Sequence, residues 1–467
     1  MSAPVYLSAD IRRIEKAAGE LSPPLMERAG AAAAGIAAGL ASSKSKDVLV
    51  LAGPGNNGGD ARIVAERLKE QFFRVSVASR LEEIPAEKTW GLVVDGLFGI
   101  GLGREIGGDF AKLVRYVNEQ ACPVLALDVP SGIDADTGRV LGCAVRATHT
   151  ITFIALKPGL LTLDGPDHCG ATTVSDLDLE VKKILVPPGW VAGPELFTEI
   201  LKPRPRNFHK GMAGSLGILG GAAGMAGAAL LAGRAALKLG AGRVYVGVLS
   251  EELSYLDPAS PELMLRHADD VLGLDLDALV VGPGIGGGER AETLVGAALA
   301  SDIPCVVDAD ALNLISENAD LRKACTRRSA DTLLTPHPAE AARLLGEGIA
   351  DIQANRLQAA RNLSQHFNAH VVLKGNGSIL VARDGHWFVN TSGNPGMASA
   401  GMGDVLAGLL GALLAQRYSG ESSLVLGVHL HGCAADELVR SGIGPVGLTA
   451  GELIDPARRL WNAWLAS

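Results

Sequence analysis

No two of the six cysteines form a CxxC pair, and Cys122, Cys143, Cys169, Cys305, Cys325 and Cys433 are scattered along the chain. Scattered single thiols in a long chain read as reduced, small core residues, which sets aside a disulfide framework and a zinc cluster. The N-terminal stretch MSAPVYLSADIRRIEKAA has no secretory apolar segment after a basic start. AGAAAAGIAAGLA, Ala29 to Ala41, is well short of the ~20 residues that span a bilayer. A cytoplasmic location is expected. Basic excess is lacking too, since a net charge of -9 argues against nucleic acid or an anionic membrane as the main partner. No coiled-coil repeat says whether the chain forms a homo-oligomer.

What the chain has is length and alternation. Its 467 residues exceed one ordinary core, at roughly 150 residues per domain. The 59 glycines follow no collagen-like period and so serve turns and close backbone packing. SADIRRIEKAAGEL and LMERAGAAAAGIAAGLASS read as helices parted by SPP. DVLVLAG, FFRVSVAS, GLVVDGLFG, PVLALDVPSG and THTITFIAL are apolar runs of buried-strand type, with FAKLVRYVNEQ helical between two of them. From Pro187 to Asn207 the pattern breaks into a proline-rich junction. The alternation then restarts with GSLGILGG, RVYVGVLS, ALVVGPGIG, IPCVVDAD, DTLLTPHPAE and HVVLKGNGSILVA. Strands alternating with helices predict two unrelated α/β domains in tandem, residues 1–203 and 204–467, each with a mainly parallel sheet.

In the first half, a strand feeding GPGNNGGDA places backbone N–H groups and the positive end of a helix at the sheet's carboxyl edge, where anionic ligands bind. Such a turn alone is a tight connection as readily as a site. Three more strand ends add weight: Asp95 before the loop Gly99 to Glu105, Asp128 with Ser131, and Lys157. Singly these are a helix cap, a turn residue and a solvated charge; at one edge of one sheet they are expected to form a site.

LMERAG, GPGNNGGD, VVDGLFGIGL, LDVPSGIDADTG and TFIALKPGL resemble the NAD(P)H-hydrate epimerase domain, a Rossmann-like three-layer sandwich. The resemblance implies that Asn56, Asn57, Gly58, Gly59 and Asp60, with Gly99, Ile100, Gly101, Leu102, Gly103, Arg104 and Glu105, hold the hydrated dinucleotide. It also implies that Asn57, Asp95 and Ser131 hold K+ and that Asp128 contacts substrate. An amide, a carboxylate and a hydroxyl are hard oxygen donors, suited to an alkali cation and not to zinc. Epimerising a hydrate at C6 needs an acid/base group beside that carbon; Asp128 with Lys157 is the candidate pair. Ala61 stands where the family usually has a second glycine, so its methyl is expected to crowd the phosphate side slightly.

In the second half, GNPGMASAGMGDVLAGLLGALLAQ sets glycines 393, 396, 401 and 403 before Asp404 and a long apolar helix. The N–H groups of Ala400 to Gly403 make a cradle for phosphate, and Asp404 can take a proton from an attacking hydroxyl. The bland alternative is an N-cap aspartate, which would not need four flanking glycines. His337 lies between prolines after an apolar strand, where its ring would face a ligand. Lys374, Gly375, Asn376, Gly377 and Ser378 supply a cation, flexible backbone and a hydroxyl, suited to phosphate or ribose.

HKGMAGSLGILGGAAGMAGAALLAGRAALKLGAG, TPHPAE, KGNGS and GNPGMASAGMGDVLAG resemble the ribokinase-like superfamily and, within it, the ADP-dependent NAD(P)H-hydrate dehydratase. That implies a second three-layer sandwich in which Ala228, Gly286, His337 and Asp404 contact the hydrated cofactor, NADHX or NADPHX. Lys374 to Ser378 and Gly403 would contact ADP, with Mg2+ inferred from phosphoryl chemistry. The implied activity is bifunctional: epimerisation of R and S hydrates, then ADP-dependent dehydration of the S hydrate. The rival is a ribokinase-like small-molecule kinase fused to a non-catalytic Rossmann-like binding module.

Overall fold

The computed structural model describes residues 2–19, 21–41, 45–86, 88–251 and 256–466. The reading of helix at Glu20 and at Ser42 and Ser43 lies outside the described residues. The chain divides into two compact units, Ala3–Trp190 and Val191–Ser467.

The strands of the N-terminal unit are β1 (Pro4–Val5), β2 (Asp47–Ala52), β3 (Arg74–Ala78), β4 (Leu92–Gly96), β5 (Val124–Leu127), β6 (His149–Phe153) and β7 (Ala171–Ser175). A further strand, β8 (Gly189–Val191), pairs antiparallel with β1. The main sheet runs β3-β2-β4-β5-β6-β7 and is parallel throughout. Successive side chains of a strand face opposite sides, and both sides here are covered. Val48 and Val50 of β2 join the core of helices Leu25–Leu40 and Asn56–Glu70, whereas Leu49 and Leu51 join that of helix Gly108–Asn118. This is why DVLVLAG is apolar without alternation.

The C-terminal unit contains β9 (Ser215–Gly220), β10 (Arg243–Val248), β11 (Met264–His267), β12 (Ala278–Val281), β13 (Cys305–Val307), β14 (Thr332–Leu334), β15 (His370–Leu373), β16 (Ser378–Val381) and β17 (Trp387–Asn390). Their order is β17-β16-β15-β14-β13-β12-β9-β10-β11. Pairing is parallel from β15 through β11 and antiparallel between β15, β16 and β17. Helix Met402–Ala415 is buried along almost its whole length, between the sheet and helix Ala226–Lys238. Glycine permits that. A Cβ on Gly408 would lie 2.1 Å from Ala232 O, and one on Gly411 would lie 2.4 Å from Val280 Cγ2.

Several elements differ from the sequence reading. HVVLKGNGSILVA holds two strands, with KGNGS the turn between β15 and β16. Strands β7, β11 and β17 were not foreseen; β7 is a polar, mostly exposed edge strand. The stretch read as junction contains β8. All six cysteines are free, yet only Cys169, Cys305 and Cys325 are buried, the other three being partly exposed. No helix among the described residues is long and apolar enough to cross a membrane.

An alanine inside a helix ordinarily stabilises by about 1 kcal/mol over glycine. Gly408→Ala is expected to reverse that sign, destabilising the C-terminal unit by about 1–3 kcal/mol through overpacking against Ala232. Urea denaturation followed by tryptophan fluorescence measures it; a raised midpoint would contradict this packing.

Candidate active sites

In the N-terminal unit a cleft of about 790 Å³ opens at the carboxyl edge of the sheet. Backbone contact forms its floor. A Cβ on Gly53 would stand 1.8 Å from Leu97 O, and one on Gly58 would stand 1.9 Å from Gly53 O, so both positions exclude any side chain. The helix that follows begins at Asn56, with the N–H groups of its first turn at the cleft.

Asn56, Asn57, Asp60, the loop from Gly99 to Arg104, and Asp128 line this cleft. Gly58, Gly59 and Glu105 do not; Gly59 instead makes room for Met26, whose Sδ would lie 2.6 Å from a Cβ there. Asp128 adopts φ 65° at the end of β5. Its Oδ1 accepts from Lys157 Nζ at 2.5 Å, and its Oδ2 from Ile100 N at 3.4 Å. Lys157 lies fully buried behind Asp128, also donating to Thr152 Oγ1 and Phe153 O at 2.8 Å each. The carboxylate thus faces the cleft while its counter-charge stays away from solvent.

Beneath the floor, Asp95 Oδ1 and Oδ2 accept from Ser131 Oγ at 2.7 Å and Ser131 N at 2.8 Å. Burial pushes the Asp95 carboxyl up, opposed by those hydrogen bonds. Neither polar atom of the buried Asn57 carboxamide has a hydrogen-bond partner among the described residues. Its Oδ1 and Asp128 Oδ2 both lie beside Gly99, 3.4 and 3.2 Å from where a Cβ would be. The Ala61 methyl is buried and sits 2.5 Å from the Cβ position of Gly96, between helix and sheet. It does not line the cleft, so the expected crowding of the phosphate side is not found.

Arg12 and Glu15, on helix Ser8–Ala18, also line the cleft and were missed. Their helix read as an ordinary charged face, and only the fold brings it to the sheet edge. Burial pushes Asp60 up to about 8, with Asp128 and Glu15 adding repulsion. Burial, then Asp128, raises Glu15.

In the C-terminal unit, Asp404 lies in the first turn of helix Met402–Ala415, behind Gly401 at φ 87°. The preceding Ala398, Ser399 and Ala400 are exposed, so the helix mouth is open to solvent. A Cβ on Gly403 would be 3.4 Å from both Lys374 Nζ and Asp308 Oδ2. Lys374 Nζ is 3.0 Å from Asp308 Oδ1 and 4.0 Å from Glu340 Oε2. Burial pushes Asp404 up to about 6, Asp308 and Asp310 adding to it and Lys374 opposing. Lys374 therefore reaches the helix mouth itself, which its place in the KGNGS turn did not foretell.

The rest of that turn is held from behind. Ser378 Oγ accepts from Gly375 N and donates to Gly375 O. Arg356, 2% exposed, donates to Leu373 O and Lys374 O, and a Cβ on Gly375 would strike its guanidinium at 2.6 Å. His337 is the N-cap of helix Pro338–Leu345: its Nδ1 accepts from Ala339 N and Glu340 N at 3.1 and 3.3 Å. Its half-exposed ring keeps Nε2 3.3 Å from Glu340 Oε1, and burial followed by Lys374 lowers its pKa. Ala228 meets the loop of Gly284, and Gly286 N donates to Asp310 Oδ2 at 2.9 Å. Asp308, Asp310, Glu340 and Arg356 were not singled out; VVDADALNL and TPHPAE contained three of them among residues read as strand ends.

Each unit is thus an α/β sandwich whose sheet edge holds a carboxylate, a lysine and a glycine-lined helix mouth. Residues 216–455 match the family described as NAD(P)H-hydrate dehydratase. Residues 22–90 and 78–159 match the family described as YjeF-related protein N-terminus. The bifunctional NAD(P)H-hydrate repair enzyme Nnr of Coxiella burnetii is 37% identical over 98% of this chain and 99% of its own. Its counterpart in Escherichia coli is 37% identical over 98% of this chain and 94% of its own. Among solved structures, the ADP/ATP-dependent NAD(P)H-hydrate dehydratase of Bacillus subtilis, co-crystallised with ATP and Mg2+, is 27% identical with a TM-score of 0.51. It covers 58% of this chain and 97% of its own. A ribokinase-like superfamily protein of Enterococcus faecalis, 23% identical with a TM-score of 0.50 over 59% of this chain and 96% of its own, supports the C-terminal fold. The chain belongs to the family of bifunctional NAD(P)H-hydrate repair enzymes.

Asp60 supplies a test of the N-terminal electrostatics. Its folded pKa of about 8 lies above the ordinary carboxylate value, so the fold prefers it protonated. The stability it contributes is complete below about pH 4 and is lost as pH rises through about 8. Asp60→Asn should therefore gain melting temperature relative to the parent as pH rises from about 5 to about 8. Parallel melting curves across that window would contradict the burial assigned to Asp60.

Proposed function

We propose that this chain repairs hydrated nicotinamide cofactors in two steps, with an epimerase domain at residues 1–203 and a dehydratase domain at residues 204–467. The observation that carries this reading is the pairing, in one chain, of the Asp128–Lys157 cleft with the Asp404–Lys374 helix mouth. A kinase alone would need only the second.

In the dehydratase domain the substrate is the S hydrate of NADH or NADPH, bound through Ala228, Gly286, His337 and Asp404. Asp404 takes the proton of the C6 hydroxyl, whose oxygen attacks the terminal phosphate of ADP. AMP leaves. The oxygen, now part of a phosphate ester, departs as inorganic phosphate while a proton leaves C5, restoring the ring double bond. Phosphorylation turns a poor leaving group into a good one, which explains kinase machinery in a dehydratase. The N–H groups at the mouth of helix Met402–Ala415 and the Lys374 ammonium stabilise the charge that builds on the transferred group. The KGNGS turn, backed by Arg356, holds the nucleotide, and magnesium arrives on its phosphates as part of that substrate.

In the epimerase domain the dinucleotide lies along the Asn56–Asp60 helix start and the Gly99–Glu105 loop. Asp128, hydrogen-bonded to Lys157, exchanges protons beside C6. Asn57, Asp95 and Ser131 are fit to hold K+: the donors are hard oxygens, and the buried Asn57 oxygen has no partner among the described residues. A bound K+ would supply a fixed positive charge near the dinucleotide. Asn57 and Asp128, beside each other at Gly99, orient substrate on that floor.

Asp404→Asn is expected to lower ADP-dependent recovery of the reduced-ring absorbance from S hydrate by about 100-fold or more, leaving epimerisation intact. Asp128→Asn should block use of the R epimer alone. Near-normal dehydration by the first variant, or equal loss on both epimers by the second, would refute these assignments. Because the Asp404 base must be ionised and its pKa is raised to about 6, dehydration kcat should fall as pH drops through about 6. A limb near pH 4 would contradict that environment.

A further inference from the structure

Two carboxylates after β13, Asp308 and Asp310, have no role in the scheme above, and each points to a different half of the dehydratase site. Asp308 is 1% exposed, and its Oδ1 accepts from Thr335 Oγ1 at 2.6 Å and from Lys374 Nζ at 3.0 Å. Its backbone is pinned on both sides. Asp308 N donates to Val281 O at 3.0 Å, and Gly282, at φ 123°, approaches so closely that a Cβ would lie 1.8 Å from Asp308 O. Asp310 Oδ2 accepts from Gly286 N at 2.9 Å, across 24 residues of sequence.

Between them stands Ala309 at φ 52° and ψ -121°, a conformation that residues with a Cβ rarely adopt. Backbone strain of this kind persists only where its surroundings over-determine it, and it gathers at functional sites. An ordinary cap would bond its own helix. Asp310 instead bonds the Gly286 loop, and Asp308 bonds a lysine from the far side of β14.

We propose that Asp308 and Asp310 are positioning residues that hold the two half-sites of the dehydration at a fixed separation. Asp308 seats the Lys374 ammonium under Gly403 for the nucleotide, and Asp310 seats the Gly286 loop for the hydrated cofactor. The strained turn at Ala309 lets adjacent carboxylates serve both. The inference rests on the reading above that Lys374 contacts ADP and Gly286 contacts the hydrate. It adds a division of labour within one tripeptide: losing either carboxylate should damage the affinity for one substrate and spare the other.

The test is steady-state kinetics of the full chain on S hydrate and ADP. Asp308→Asn is expected to raise the KM for ADP by about ten-fold or more, with the hydrate KM within about two-fold of the parent. Asp310→Asn should do the reverse, and Asp308→Glu should recover part of the ADP affinity. Equal changes in both constants for both variants, or a lowered melting temperature with unchanged KM values, would overturn the proposal. Lys374→Met separates the two readings. If it leaves the KM for ADP and turnover unchanged, the nucleotide assignment of Lys374 fails. If it cripples ADP use while Asp308→Asn does not, that assignment stands and the positioning role of Asp308 is refuted.

Discussion

At each of the two sheet edges an aspartate is held against a lysine: Asp128 with Lys157 at 2.5 Å, and Asp308 with Lys374 at 3.0 Å. Such pairs are poor investments in stability, because desolvating two charges costs about as much as their attraction returns. Hydrogen bonds to Thr152, Phe153 and Thr335 complete the shells of these charges, so neither ion is left unpaired. The two edges use the motif differently. In the N-terminal unit the lysine is wholly buried and the carboxylate faces the cleft, presenting a base. In the C-terminal unit the carboxylate is hidden and the lysine reaches the helix mouth, presenting a cation. A base suits proton exchange at carbon, and a cation beside a raised carboxylate suits phosphoryl transfer.

Glycine makes both placements possible. Gly53 and Gly58 bring the strand end and helix start into contact with the loop after β4, and Gly403 leaves the space into which Lys374 and Asp308 reach. The two glycine-rich turns are alike in that both leave the start of a helix clear of side chains, while the segments that approach them differ.

Much of this was legible in the sequence. Strands buried on both faces gave continuous apolar runs, so β2, β4, β5, β9 and β12 were evident, and the glycine-rich turns with Asp404, Asp128 and Lys157 announced the sheet edges. Strands β7, β11 and β17 escaped because short or edge strands need no strong apolar run; β7 is largely exposed. Arg12 and Glu15 escaped because nothing local distinguishes a helix face that meets a cleft from one that meets water. Asp308 and Asp310 sat in a quoted motif, yet their partners lie 66 and 24 residues away, a pairing only the folded sheet creates. His337 was noticed for its flanking prolines, and its ring proves to cap the helix that Pro338 begins.

The central claim is that both sites act on the same damaged coenzyme in succession. It is tested most directly by incubating the intact chain with a mixture of R and S hydrates and excess ADP and following the absorbance of the reduced ring to its end point. The account predicts recovery of the whole mixture, one AMP and one phosphate being formed per coenzyme restored. A plateau at the S fraction, or accumulation of a stable phosphorylated product, would contradict it.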